Sequence, residues 1–255
     1  MEFTREVKSS IQVIDRMMRL LECIAHHSGP VSLKQLASET SLHPSTAHRI
    51  LGVMVESRLV DRVEPGTYRL GIRLLELGNL VKSRINVRQE ALPYMQRLHH
   101  ALGETVNLSV RHHDEVVYIE RTAPGNSMMR VVQIIGARAP LHITAVGKVF
   151  LAHEDRPNRL DYATRTGLPR FTNNTVTDGE TLVRELDAIR TQGYAFDNEE
   201  AEKGVSCIGA GIYNDEGRLV AGLSVSAPSD RLQPGWAHDV RRTAEDISRA
   251  IGYVR

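Results

Sequence analysis

Apolar positions over the first hundred residues recur at three- and four-residue spacing, the period of amphipathic helices. Ser10 is placed to cap a helix from Ile11 to His27 with Ile14, Met17, Leu21 and Ile24 on one face, and Ser28-Gly29-Pro30 ends it. Ser32-Leu33-Lys34-Gln35 has the form of a capping box, and Leu33, Leu36 and Ala37 give the helix it opens an apolar side. After a break at 40–43, Pro44 suits the first position of a further helix that runs to Val55. At 100° per residue, Ala47, Ile50, Leu51 and Met54 fall on one side of that helix. Ser45, His48, Arg49 and Gly52 fall on the other.

Strand-like Leu59–Val63, turn chemistry at Glu64-Pro65-Gly66-Thr67 and a short return over Tyr68-Arg69-Leu70 predict a small hairpin. Gly71 to Arg84 carries Ile72, Leu74, Leu75, Leu77 and Leu80, more apolar surface than a lone linker helix tolerates, so packing on a partner subunit is expected. Val87 to Leu102 reads as a helix containing Pro93 and ended by Gly103. Beyond it strands and helices alternate. Thr105–Arg111 and Glu115–Arg121 predict a hairpin, and Met128–Ile135 a buried strand. Helices fit Ala145–His153, Arg156–Arg165 and Asp178–Gln192, and strands Val205–Tyr213 and Arg218–Ala227 flank the turn at Asn214–Gly217. The class expected is α+β, with an antiparallel sheet and packed helices in the second half.

Two helices followed by a hairpin make a winged helix-turn-helix. The outward face of the second helix is small, polar and cationic, and no acidic residue occurs from Thr40 to Val55. A helix lying in a DNA major groove needs such a face, because carboxylates there would meet phosphates. Ser45, Thr46, His48 and Arg49 are the expected base readers, with Arg62 and Arg69 of the hairpin on backbone phosphates.

Charge changes this picture only slightly. The formal net charge is +1, but residues 1–85 hold 12 Lys and Arg against 9 Asp and Glu, and residues 86–255 hold 20 against 22. Cys23 and Cys207 are the only cysteines, and no CxxC pair occurs, which argues against a disulfide scaffold or structural zinc. Cys23 reads as a small core residue. With no long apolar run and no cleavable signal, a cytoplasmic protein without membrane partners is expected.

The second half offers a pocket. If the turn at Asn214–Gly217 joins its strands in simple register, Tyr213 faces Arg218, Cys207 faces Ser224 and Val205 faces Ser226. Cys207, Ser224 and Ser226 then share one side of the sheet, unless a bulge intervenes. Thr144 is placed to cap the helix beginning at Ala145, leaving the amides of Ala145 and Val146 outward. Free amides and the helix dipole attract anions, so the pocket suits a small organic acid.

Leu33-Lys-Gln-Leu-Ala37, Pro44-Ser-Thr-Ala-His-Arg-Ile-Leu51, Tyr68-Arg-Leu-Gly71, Pro140–Ala152, Gly193–Glu200 and Gly204–Ile212 occur in this order. Together they make the chain resemble the IclR family of bacterial transcription regulators over nearly its whole length. The resemblance implies a winged helix-turn-helix DNA-binding domain (1–77), a helical linker (78–87) and a GAF-like effector-binding domain (88–255). It also implies a homodimer or tetramer on a palindromic, double-stranded operator, with RNA polymerase a further partner if the protein activates. Family effector positions fall on Ala145, Val146, Asp197, Cys207, Ser224 and Ser226, with Met128 and Ala139 as apolar wall. No cofactor is implied.

Two other classes compete. GAF-like domains can host cysteine chemistry, with Cys207 as nucleophile and His142 as base, but the second domain has no resolving thiol. A DNA-binding protein without effector is the other. The His-His pairs at 26–27, 99–100 and 112–113 are poor chelates, because adjacent side chains diverge, and no metal is expected.

Overall fold

The computed structural model describes residues 3–82, 86–123 and 135–254, the side chains of 3–11, 81 and 82 excepted. They fall into two compact units divided between residues 85 and 86.

The first unit comprises α1 (Phe3–Ala25), β1 (Val31–Ser32), α2 (Leu33–Glu39), α3 (Pro44–Glu56), β2 (Val60–Glu64), β3 (Thr67–Leu70) and α4 (Ile72–Lys82). α1 starts upstream of the expected cap, so Ser10 lies inside the helix. Among its described side chains, burial is confined to the last turns, at Leu20 and Ile24 with Met17 and Leu21 half-buried, and Ile14 is exposed. The Ser32 hydroxyl accepts from Gln35 N at 3.2 Å, but the Gln35 side chain reaches forward to Glu39 rather than back to the cap. α3 buries Ala47, Ile50, Leu51 and Met54, the four positions its periodicity selects. The hairpin gains a third strand, β1, in the order β1-β3-β2. α4 leaves Ile72, Leu75, Leu77 and Leu80 exposed.

The second unit comprises α5 (Val87–Leu102), β4 (Thr105–His112), β5 (Glu115–Thr122), β6 (Arg138–Pro140), a 3-10 turn (Leu141–Ile143), α6 (Ala145–Ala152), α7 (Arg156–Thr166), α8 (Gly179–Gln192), β7 (Tyr194–Asn198), β8 (Val205–Tyr213), β9 (Leu219–Pro228) and α9 (Trp236–Ala250). Extended Asn86 caps α5, so the stretch 78–87 is helical through Lys82 and again at Val87 rather than across Asn86. The sheet is antiparallel, in the order β6-β5-β4-β9-β8-β7. β6, β7 and α9 join the elements expected from periodicity, while the strand expected at 128–135 lies outside the described residues apart from Ile135, which is in a turn.

Strand alternation sorts the sheet into two faces. Ile208, Ala210 and Ile212 of β8 and Leu223 and Val225 of β9 meet α5 and α9. Cys207 and Gly209, with Ser224 and Ser226, turn to the face covered by α6, α7 and α8. The β8–β9 register differs from simple pairing: Tyr213 faces Leu219, a bulge follows, and Cys207 faces Ser226 while Ser224 faces Gly209. The turn adds one residue and the bulge another. A slip of two conserves the face of every side chain, which is why the three residues still cluster.

Candidate functional site

Each unit holds a candidate site for the expected function. In the first, Ser45, His48 and Arg49 are exposed on α3, Thr46 is half-exposed, and the apolar side of the helix faces inward. The wing brings Arg62 to them. Its guanidinium donates to Tyr68 Oη at 3.1 Å, lies 5.6 Å above the Tyr68 ring and approaches His48 Nε2 to 3.5 Å. Tyr68 is fully buried, so a core residue orients a surface cation. Arg69 stands apart. Register pairs Arg62 with Tyr68 and Asp61 with Arg69, on alternate faces of the hairpin. Arg69 lies 3.5 Å from Asp61 and borders a depression beside Ile24, His27 and Pro30, near the end of α1. The structure therefore gathers Ser45, His48, Arg49 and Arg62 but not Arg69.

In the second unit a small cavity of about 30 Å³ opens between α6 and the sheet. Six expected residues line it: Ala145, Val146, Asp197, Cys207, Ser224 and Ser226. Ala139, on β6 opposite Val116, is buried in the same apolar cluster as Ala145, Val146 and Cys207 and does not itself border the cavity. Met128 lies outside the described residues. Thr144, expected as the cap of α6, also lines it, and Tyr118, Ala201, Glu202 and Val205, which were not expected as site residues, complete the lining. Tyr118 escapes a sequence reading because a β4–β5 bulge at Leu108/Ser109 sets its phase. Ala201 and Glu202 sit in an irregular loop with no periodicity to mark them.

Local chemistry places each group. Thr144 Oγ1 accepts from Gly147 N at 3.1 Å, so α6 is capped at its third residue and the amides of Ala145 and Val146 have no partner within the helix. α6 can approach the sheet because Gly209 and Gly222 lie beneath it: a Cβ at Gly222 would fall 2.1 Å from Val146 Cγ1, and one at Gly209 2.9 Å from Val146 N. The Cys207 thiol donates to Ser226 Oγ at 3.1 Å, and Asn107 Nδ2 donates to the same oxygen at 3.1 Å.

Asp197 serves a turn and the cavity together. Its Oδ1 accepts from Glu200 N at 2.7 Å and Ala201 N at 3.4 Å. Burial, followed by the Glu200 carboxylate, pushes its carboxyl up to about 7. Behind it, the fully buried Lys148 of α6 bonds Glu185 at 2.5 Å and Glu200 at 2.7 Å. Burial opposes the charge on Lys148, but the two carboxylates outweigh it and hold its ammonium above the ordinary lysine value. The cavity thus has two ends: helix amides, and a carboxyl that can carry a proton near neutral pH.

This arrangement does not make a nucleophile. Burial and the nearby Asp197 push the Cys207 thiol well up, opposite to what a reactive thiolate needs. His142 is buried, with its ring nitrogens at 3.1 Å from Tyr162 Oη and 3.1 Å from Pro169 O, so it is spoken for elsewhere.

A helix-turn-helix unit and, in the same chain, a unit with a buried cavity of mixed polar and apolar lining define a class: regulators that bind DNA and an effector. The comparisons specify it. Residues 13–64 match the IclR helix-turn-helix domain, and residues 80–250 match the bacterial transcriptional regulator IclR C-terminal domain. The transcriptional repressor AllR of Klebsiella pneumoniae is 33% identical over 246 residues, 94% of this chain and 90% of that protein. The Agobacterium tumefaciens repressor BlcR superposes with a TM-score of 0.86 at 27% identity, covering 97% of this chain and all of that one. An IclR homologue from Microbacterium hydrocarbonoxydans, complexed with 4-hydroxybenzoate, matches with a TM-score of 0.61 at 29% identity over 94% and 98% of the two chains. The chain belongs to the IclR family of transcriptional regulators. It is a regulator with a helix-turn-helix DNA-binding domain and a C-terminal effector-binding domain, and not an enzyme. Among the described residues no helix is long and apolar enough to cross a membrane.

Proposed function

We propose that the protein binds a palindromic operator as a homo-oligomer in the cytoplasm and that a small organic acid in the α6 cavity changes its DNA affinity. Residues 1–77 would form the DNA-binding domain, 78–87 the linker and 88–255 the effector domain. The observation that carries this reading is the convergence of α6 amides, Ser224, Ser226 and Asp197 on one buried cavity. At about 30 Å³ that cavity holds roughly one or two waters. A short acid fits with modest opening, whereas an aromatic acid such as the one in the Microbacterium relative needs more. The acid's carboxylate would take the amides of Ala145 and Val146, and its hydroxyl or carbonyl end would meet Asp197 and the serines. Repression is favoured over activation by the repressors among the relatives, and RNA polymerase contact would belong only to the activating case.

Ser45, Thr46, His48 and Arg49 would read bases. Arg49 suits guanine, whose O6 and N7 accept a guanidinium bidentately. Arg49→Ala should lose at least ~1 kcal/mol of operator binding at fixed salt. Arg62→Ala should lower the salt slope by about one, as loss of one phosphate contact does, and Arg69→Ala should lower it less. Equal slopes for the two arginine variants would reject the geometry assigned to the wing.

The effector half is tested by a thermal-shift screen of short carboxylic acids followed by operator release. A hit whose action on DNA is lost in Ser224→Leu, with basal operator binding kept, supports the cavity. No stabilisation by any acid would favour DNA binding without effector.

A further inference from the structure

Apart from the two sites above, three side chains with transition-metal chemistry converge in the N-terminal unit. Cys23 lies in the last turns of α1, His27 follows four residues later, and Glu39 closes α2. A separation of four residues stacks Cys23 and His27 on one side, and His27 N bonds Ile24 O at 3.2 Å to continue the helical turn. Glu39 Oε2 lies 3.1 Å from Cys23 Sγ and 3.0 Å from His27 Nε2, and the three ligand atoms fall within 4.8 Å of one another. The second Glu39 oxygen accepts from Gln35 Nε2 at 2.9 Å. That bond aims the carboxylate at the other two groups, as an outer partner does in metal sites. Cys23 and His27 are half-buried and Glu39 is exposed, which leaves a way in from solvent.

We propose that Cys23, His27 and Glu39 bind one divalent ion of the zinc type, with water as fourth ligand. A thiolate and an imidazole favour zinc-like ions and disfavour magnesium and calcium, which take oxygen. Ligand bonds of about 2.3 Å to sulfur and about 2.0 Å to nitrogen and oxygen set tetrahedral ligand atoms roughly 3–4 Å apart. The two contacts of Glu39, at 3.1 and 3.0 Å, need only small adjustment to reach that spacing. The ion takes the place of the thiol proton that Cys23 now donates to Glu39. The neutral His27 imidazole, whose Nε2–H faces the same carboxylate, frees Nε2 by carrying its hydrogen on Nδ1. One proton, from the thiol, leaves to solvent, and nothing is oxidised or reduced. The bound ion would pin the end of α1 to the end of α2, the helix that precedes the DNA-reading α3.

The test is a titration of the full-length, metal-free protein with cobalt(II). A thiolate-to-cobalt charge-transfer band and strong visible bands should saturate at one ion per chain and disappear when zinc is added. Cys23→Ser should abolish the charge-transfer band. Glu39→Gln, an exposed change that keeps the thiol and should keep the far-UV circular dichroism, should weaken cobalt binding by about tenfold. Absence of a thiolate band at saturating cobalt would overturn the proposal. So would a band that persists in Cys23→Ser, since it would have to come from Cys207.

Discussion

Asp197 holds its carboxyl where a charge is poorly solvated, and that has a measurable consequence. With the folded value near 7 and the unfolded value near 3.8, the folded state binds the proton more tightly. Stability from this group is full below about 4 and is lost as pH rises through about 7. The groups acting on the carboxyl are Glu200, Lys148 and the amides of Glu200 and Ala201, with Cys207 facing it across the strand pair. An acid bound beside Asp197 should accordingly bind more tightly at pH 6 than at pH 8. Asp197→Asn should flatten that dependence, read by calorimetry of the same acid at both values. An unchanged pH slope in the variant would remove Asp197 from the ligand's surroundings. At this scale the sequence carried much. The outward side chains of α3 and the serines of β9 were readable because helix and strand periods are local. The pairing of Arg62 with Tyr68, and the separation of Arg69 from both, came from cross-strand register, which a single strand does not encode.

Among the elements, the contact between α6 and the sheet sets the site. Val146 of α6 sits where Gly222 has no side chain, and the space is already used. Gly222→Ala should push α6 away and destabilise the second unit by about 1–3 kcal/mol, the usual cost of overpacking. Val146→Ala in the same chain should restore part of the loss, as expected of residues that touch. Additive effects in denaturant unfolding would argue that the two do not meet. β1 and β6, of two and three residues, are too short for a period and are defined by their partners, and β7 puts the polar Asp197 on its buried face, which hides its alternation. α9 was different. Ala237, Val240, Ala244 and Ile247 recur at helical spacing and could have been read. β8 and β9 were placed within a residue, yet their register was off by two, one from the turn and one from a bulge that leaves no mark in composition.

For the whole molecule, the exposed apolar row of α4 is the feature that the chain itself does not cover among its described residues. Ile72 is 50% and Leu75 58% exposed, and Val13, Ile14 and Met18 of α1 are exposed in the same unit. A second copy would bury such surface, and two copies would present two recognition helices to a palindrome. Ile72→Glu with Leu75→Glu should shift the protein toward monomer in sedimentation and weaken operator binding far more than half-site binding. An unchanged oligomer would move the interface elsewhere. What the sequence determined by itself was the identity and facing of the main elements, since hydrophobic period, caps and turn residues act over a few residues. What only the tertiary structure decided was which residues of different elements meet: Arg62 with Tyr68, Asp197 with Cys207 and Ser226, and Glu39 with Cys23 and His27. Those meetings depend on register, bulges and close backbone approach, which are set between elements and not within any one of them.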